Sequence, residues 1–244
     1  MNELDFRGRT VLVVGGSSGI GNGIARAILD RHAEVHVIGT RASALDYADE
    51  EGSDLAGLRY SQLDVTDDDA VELYEPQFSS LDVLVLSQGL VRYGRREFQM
   101  VDFRQVTDVN LMSVMACAMK FHSLLAASKG SMIVLSSIAA FLATRGNPAY
   151  NASKAAAAGL TRNLAQVWAG DGVRVNGIAP GLVDTKLTRV TTGNEERLKQ
   201  TLGRIPLGRL GTLEEMAGVA LFLASPLSSY MIGQTLVVDG GRLL

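Results

Sequence analysis

A tyrosine and a lysine stand four residues apart in Tyr150-Asn-Ala-Ser-Lys154, near the start of an alanine-rich segment with helical periodicity. On a helix that spacing turns both side chains to one face. Ser137 lies thirteen residues before Tyr150, just past an apolar run at 132–135. A phenol, a hydroxyl and an ammonium gathered in this way suit proton exchange with the oxygen of a carbonyl or an alcohol. A carbonyl that accepts hydride becomes an alkoxide, and a proton donor must meet that oxygen. A free phenol, with a pKa of about 10, is too weak a base for the reverse step at neutral pH by roughly 3 units, or ~4 kcal/mol. An ammonium about 4 Å away supplies roughly 4 kcal/mol at an effective dielectric of ~20. In this reading Tyr150 is the acid/base, Lys154 lowers its pKa, Ser137 orients the substrate oxygen, and a nicotinamide supplies hydride. Tyr and Lys at this spacing are also common on helix surfaces, and Ser137 as a strand-end turn residue is the plain alternative; their joint order argues for a site.

The run Val11-Leu-Val-Val-Gly15-Gly16-Ser17-Ser18-Gly19-Ile20-Gly21 sets a glycine-rich turn between an apolar strand and an amphipathic helix. Without Cβ atoms such a turn can approach a pyrophosphate, and free N–H groups at the helix start add partial positive charge. Gly15, Ser17, Ser18, Gly19, Ile20 and Gly21 are expected to cradle a dinucleotide. A merely tight turn is the other reading, which the flanking elements disfavour. The next strand ends Val37-Ile38-Gly39-Thr40-Arg41, about where dinucleotide folds discriminate the adenosine ribose. NAD selectivity would favour a carboxylate there. Thr40 is neutral and Arg41 offers a guanidinium fork to a 2′-phosphate, so NADP(H) is expected over NAD(H); Arg41 as a solvated helix-start residue is the alternative. Asp64-Val65 follows the third strand and could hold the adenine edge, or Asp64 could cap the next turn.

These residues need rigid elements behind them. Short, largely β-branched runs recur at 10–14, 35–38, 83–86, 132–135, 173–178 and 235–238, too short for helices and mostly too apolar for half-wetted strands. Helical patterns lie between them at 20–31, after Thr66, and at 102–127, 150–168 and 213–224. Alternation of this kind predicts an α/β fold: a doubly wound, Rossmann-type parallel sheet of about seven strands with helices on both faces, in a single domain over 1–244. Residues 180–206 form the one long irregular stretch, expected to be a substrate loop. Thr66-Asp-Asp-Asp69 predicts a hydroxyl-capped helix start and Thr212-Leu-Glu-Glu215 a capping box. Asp54, Glu195 and Glu196 have no partner at a diagnostic spacing.

Composition removes several classes of function. The chain of 244 residues carries 23 Lys+Arg against 26 Asp+Glu, and a net charge of -3 lacks the cationic surface that nonspecific nucleic-acid binding requires. Hydrophobic residues at 47% against 20% charged provide for a packed core. Cys117 alone forms no internal disulfide, and with His32, His36 and His122 scattered, no Cys/His metal cluster is expected. Residues 1–8 lack a signal-peptide core, and no uninterrupted apolar stretch approaches the ~20 residues of a membrane span. A cytoplasmic protein without nucleic-acid or membrane partners is the expectation.

Taken together, Gly15-x3-Gly19-x-Gly21, Asp64-Val65, Asn110, Ser137, Tyr150-x3-Lys154, Pro180-Gly181 and Val238-Asp-Gly-Gly241 resemble the short-chain dehydrogenase/reductase family over essentially the whole chain. The resemblance implies an NADPH-dependent oxidoreductase interconverting a ketone and a secondary alcohol. It implies that Lys154 also holds the nicotinamide ribose, that Asn110 positions water in a proton relay, and that Gly89, Pro180, Gly181, Val183 and Thr185 extend the cofactor surface. It further implies a homotetramer built from the Tyr150 helix, its predecessor and the C-terminal strand. Ala152, Ala155, Ala156, Ala158 and Gly159 suit such close packing, although packing within the monomer would use them equally.

Two departures stand out: Leu86-Ser87-Gln88-Gly89 where many members have Asn-Asn-Ala-Gly, and Val14 where a Thr is usual. Ser87 or Gln88 is expected to take over the missing asparagine bridges. The short interval between Asp64 and Asp82 predicts a trimmed helix after the third strand. Phe141, Leu142, Leu182 and Leu187 are expected to wall a pocket for a small-molecule carbonyl or alcohol of apolar character. Arg92, Arg95 and Arg96 are left between an anionic substrate group, or acidic carrier, and solvent. Members that reduce 3-oxoacyl groups on a carrier protein often show a basic residue where Asp171 stands, which weakens a 3-oxoacyl thioester substrate. A non-catalytic dinucleotide-binding regulator or scaffold is the rival class; intact Ser137, Tyr150 and Lys154 argue against it.

Overall fold

The computed structural model describes residues 3–244; Met1 and Asn2, in the stretch considered above for a signal peptide, lie outside them. Seven strands, β1 (Thr10–Val14), β2 (Glu34–Gly39), β3 (Arg59–Gln62), β4 (Val83–Leu86), β5 (Ser131–Leu135), β6 (Arg174–Pro180) and β7 (Thr235–Val238), form one parallel sheet. Its order is β3-β2-β1-β4-β5-β6-β7. β1, β4 and β5 are buried along their whole length, which is why they appear in the sequence as unbroken apolar runs. Alternate residues of β1 serve opposite cores: Leu12 and Val14 join one cluster with Phe121 and Trp168, while Val11 and Val13 join another with Ile24, Ile28 and Leu221.

The helices α1 (Gly19–Leu29), α2 (Asp68–Leu73), α3 (Met100–Thr107), α4 (Ser113–Ser128), α5 (Pro148–Trp168), α6 (Arg189–Thr192), α7 (Glu195–Leu202) and α8 (Leu213–Ala224) flank this sheet or follow β6. Strand order runs outward in both directions from β1 and β4, so the chain's crossovers diverge there and leave a crevice beyond the strands' C-terminal ends. That crevice is where the glycine turn, Ser137 and the Tyr150 helix converge.

Several local expectations change. The single helix expected over 102–127 is α3, a turn of π-helix at Asp108–Met112, and α4. The run Met100–Ser128 is long and apolar enough in composition to cross a membrane, yet Val114, Cys117, Ala118, Phe121 and Leu125 of α4 pack into the core against the sheet. Thr66 does not cap α2. Asp67 does, accepting from Ala70 N at 3.0 Å, while the Thr66 hydroxyl is engaged by Asp64, to which its Oγ1 donates at 2.7 Å. α2 has only six residues, the trimmed helix that the 64–82 interval predicts. Residues 180–206 are not irregular throughout: they hold a 3-10 turn at Lys186–Thr188, then α6 and α7, the last capped by Asn194. The capping box at Thr212 and Glu215 forms as expected. Cys117 packs in the core, and burial pushes its thiol up to about 12.

Candidate active site

A cleft of about 920 Å³ runs along the C-terminal ends of the strands, with the glycine turn near one end and Ser137, Tyr150 and Lys154 near the other. The turn is glycine by necessity. A Cβ on Gly15, which has φ +75°, would stand 2.7 Å from Gln88 N, and one on Gly21 would stand 2.2 Å from the Gly15 carbonyl oxygen. Ser18 forms no side-chain cap on α1, and the first turn of that helix holds no acidic residue. Its N–H groups therefore face the cleft without a protein anion, the environment a pyrophosphate fits. Asn22, buried in α1, staples this turn: its Nδ2 donates to Gly16 O at 3.1 Å and Asp54 O at 2.9 Å, and its Oδ1 accepts from Asp54 N at 2.9 Å. Asp54 has a partner after all, in Arg26 at 3.2 Å.

Thr40, Arg41, Asp64 and Val65 line the cleft, as do Ser17, Ser18, Gly19, Ile20, Gly89, Pro180, Gly181, Val183 and Thr185. Asp64 caps the turn after β3, its Oδ1 accepting from Thr66 N at 3.0 Å, and it also lines the cleft. Arg41 is not a solvated helix-start residue. Its guanidinium donates to Glu50 and to the Asp46 carbonyl and lies 4.3 Å over the Tyr47 ring.

At the other end, Tyr150 and Lys154 emerge from the start of α5, whose Pro148 stands in the first helical turn, where a missing N–H costs nothing. Lys154 is 3% exposed, donates from Nζ to Leu135 O at 2.7 Å, and sits 5.9 Å from the Tyr150 ring centre. Burial lowers its pKa to about 8. Burial raises the Tyr150 phenol above 10, the hydrogen bond with Ser137 works against that, and the charge of Glu97 adds to it. Ser137 itself begins a 3-10 turn at Ile138–Ala140, its Oγ accepting from Ala139 N at 3.1 Å. The three side chains stand together in the cleft, but the lowering of the phenol by Lys154 that the sequence suggests is outweighed here by burial.

Asn110 lies in the π turn, fully buried. Its Oδ1 accepts from Leu90 N at 2.7 Å, and its Nδ2 donates to Leu90 O at 2.9 Å and Ser153 Oγ at 3.1 Å. The side chain thus braces the segment after β4 against α5. Gln88, in the position where Ala is usual, donates to Ser113 Oγ at 3.0 Å and leaves Oε1 without a partner among the described residues, while Ser87 Oγ lies against Gly21. The two residues divide the space: one bridges to α4, the other abuts the cradle.

Two residues near the chemistry escaped the sequence reading. Glu97 is 1% exposed and accepts from Arg92 N at 2.9 Å and from Tyr150 N at 2.9 Å, so a buried carboxylate caps the helix that carries the phenol. Tyr93 lines the cleft and donates from its hydroxyl to Leu187 O at 2.8 Å, tying two walls together. Of the expected apolar walls only Leu187 is present; Phe141, Leu142 and Leu182 lie off the cleft, because Ile138–Ala140 and the turn after β6 direct them elsewhere, and Val91 and Tyr93 take their place. Arg92 and Arg96 are held by Gln105 and Asp102, and Arg95 stacks 5.0 Å from the Phe98 ring. None of the three arginines lines the cleft.

Comparison with known proteins agrees with this geometry. Residues 14–242 match the family model described as Enoyl-(Acyl carrier protein) reductase. The chain is 37% identical over 249 residues to 2-dehydro-3-deoxy-D-gluconate 5-dehydrogenase of Bacillus subtilis, covering 99% of this chain and 97% of that protein. It is 37% identical over 246 residues to a 3-oxoacyl-acyl-carrier-protein reductase of Chlamydia pneumoniae, covering 98% of each. A putative 2-deoxy-D-gluconate 3-dehydrogenase of Agrobacterium tumefaciens, solved with bound NADP, is similar in structure with a TM-score of 0.88 at 34% identity, covering 100% of this chain and 99% of that one. The chain belongs to the short-chain dehydrogenase/reductase family. It is an NAD(P)-dependent oxidoreductase acting between alcohols and carbonyls.

Proposed function

We propose that the protein is an NADPH-dependent carbonyl reductase that interconverts a ketone of some apolar bulk and its secondary alcohol, with Tyr150 as the acid/base. The observation that carries this is the meeting of Ser137, Tyr150 and Lys154 at one end of a cleft whose other end is the glycine cradle. Bound nicotinamide supplies or takes up the hydride at carbon. The protein's residues handle the oxygen. Ser137 Oγ donates to the substrate oxygen and holds it against the Tyr150 hydroxyl. In reduction the phenol gives its proton to the developing alkoxide, and the phenolate left behind faces a lysine whose ammonium donates, among the described residues, to the Leu135 carbonyl. Lys154 is buried, and there its ammonium is worth more to an anion than it would be in solvent. Asn110 and Glu97 keep α5 in register beneath this exchange.

Val91, Tyr93 and Leu187 beside Ser137 support the apolar character of the substrate. A hydroxylated, sugar-like substrate is the second reading, favoured by the relative from Bacillus subtilis. The 3-oxoacyl alternative gains nothing at Asp171, which pairs with His122 at 3.0 Å rather than offering a cation to a carrier. We assign the active form as a cytoplasmic homotetramer. NADPH oxidation followed by absorbance against a panel of apolar ketones, keto-sugars and 3-oxoacyl thioesters tests the substrate class. In the same assay Tyr150→Phe is expected to cut turnover by about 10²–10⁴-fold, with NADPH binding by fluorescence unchanged within about twofold. Turnover that survives this substitution overturns the mechanism.

A further inference from the structure

The end of β2 offers an adenosine ribose no carboxylate, only Gly39, Thr40 and Arg41. The fold delivers one from elsewhere. Residues 44–52 turn back through the 3-10 turn at Ala44–Tyr47 and bring Glu50 onto the guanidinium of Arg41, within the cleft lining. The same carboxylate accepts from Lys186 Nζ at 2.9 Å, so Glu50 joins the floor of the adenosine end to the segment after β6. Its side chain is 14% exposed. The hydrogen bond from Lys186 outweighs burial and, with the charges of Lys186 and Arg41, keeps its carboxyl below the usual range, so it is an anion wherever the enzyme works.

We propose that Glu50 sets the cofactor preference of this enzyme by competing with the 2′-phosphate of NADP(H) for Arg41. This rests on the reading that Arg41 is the phosphate ligand. The guanidinium has a planar fork, and in this structure that fork is taken by Glu50 and the Asp46 carbonyl while its face lies on Tyr47. A phosphate with nearly two charges attracts the fork more strongly than one carboxylate does, so NADP(H) displaces Glu50. NAD(H) brings no phosphate there and leaves the pair intact. Binding of NADP(H) alone therefore bears the cost of opening the Arg41–Glu50 pair and of bringing a phosphate near a carboxylate. At this contact two cations, Arg41 and Lys186, face the one carboxylate of Glu50, which sustains the NADP(H) preference while Glu50 limits its size. Replacement of Glu50 by the isosteric amide frees both Arg41 and Lys186 and removes the repulsion.

Equilibrium dissociation constants for NADPH and NADH, measured by nicotinamide fluorescence for wild type, Glu50→Gln, Arg41→Ala and the double variant, test this without reference to turnover. Glu50→Gln is expected to tighten NADPH binding about three- to fivefold, the upper part of the range an ion pair of this exposure allows, and to leave NADH within about twofold. In the Arg41→Ala background the gain is expected to shrink to the part that Lys186 and the lost repulsion account for. Weaker NADPH binding in Glu50→Gln overturns the proposal, because Glu50 would then hold Arg41 in place for the phosphate. Equal gains for both cofactors, or a gain undiminished without Arg41, overturn it as well. Arg41→Ala by itself separates the two levels: a selective loss for NADPH with no gain in Glu50→Gln removes only the competition, whereas equal losses for NADPH and NADH remove the phosphate assignment beneath it.

Discussion

Lys154 holds a charge where water does not reach, with the Leu135 carbonyl as the acceptor of its ammonium. Burial without a carboxylate lowers its pKa from 10.5 to about 8, so at neutral pH it remains charged and the fold bears the desolvation. The sign follows from proton counting. The unfolded chain holds this proton up to 10.5 while the folded chain releases it near 8, so this group opposes folding below pH 8 and its penalty fades as pH rises through that window. Lys154→Met is expected to stabilise the cofactor-free protein by roughly 1–3 kcal/mol near neutral pH while abolishing reduction. It is also expected to flatten the rise in melting temperature between pH 8 and 10.5. Calorimetry of both proteins at the two ends of that window decides it; a variant that melts lower than wild type near neutral pH contradicts the argument. Tyr150, Lys154 and Ser137 were legible in the sequence because their chemistry needs those types at a local spacing. Glu97 was not: its contact with the Tyr150 N–H spans 53 positions, and a carboxylate between Arg96 and Phe98 carries no period. Glu50 was hidden for a related reason, since only the fold-back at Ala44–Tyr47 takes it to Arg41.

At the scale of elements, the turn between β1 and α1 is fixed by two close backbone approaches rather than by a consensus. A Cβ on Gly21 would meet the Gly15 carbonyl oxygen at 2.2 Å and Ser87 Oγ at 2.8 Å, and neither the carbonyl nor the helix start can yield without moving the cradle. Gly21→Ala is therefore expected to cost about 1–3 kcal/mol of stability, as overpacking does, and to weaken NADPH binding more than tenfold on the order-of-magnitude scale of one displaced helix terminus. Gly218→Ala in α8 is the control, because a Cβ there meets nothing within 4 Å; in an exposed helix interior it should stabilise by about 0.5–1 kcal/mol. Thermal melts and fluorescence titration of the two variants separate a steric demand at residue 21 from a general intolerance of added methyls. β1, β4 and β5 were legible because they are buried through and through, and α8 because its pattern is long; β3, with the polar run Arg59–Gln62 exposed at both ends, left no apolar run to find. The π turn was not, since one extra residue in a helical turn leaves composition and approximate period untouched while rotating Asn110 toward Leu90 and Ser153. The cap of α2 moved by one residue for the same kind of reason: Thr66 and Asp67 are both good caps, and Asp64 claims the threonine hydroxyl.

Among the exposed apolar residues of the whole molecule, two groups bear on assembly. One is a helical stripe: Met112, Met115 and Met119 are 54%, 37% and 55% exposed along the π turn and α4, and Ala152, Ala155 and Val167 are exposed on α5. The other lies at and beside β7, an edge strand paired only with β6, where Tyr230, Ile232, Val237 and Leu244 are exposed. An edge strand with apolar neighbours is a surface that proteins cover. Two distinct self-complementary patches, each closed by its own two-fold axis, generate four copies and no more, whereas one patch would stop at two. The homotetramer proposed on the family resemblance would use both groups as its contacts, and it makes a prediction that a simple dimer does not. Met119→Arg places a cation in the middle of the helical stripe and is expected to leave dimers held through the β7 side, with the fold and the cofactor cleft intact, since Met119 lines neither core nor cleft. Light scattering of the wild type at micromolar concentration should give about four times the mass of one chain, and of the variant about twice. A wild type that scatters as a single chain refutes the assembly, and a variant that remains tetrameric shows that the helical stripe is not one of its two contacts.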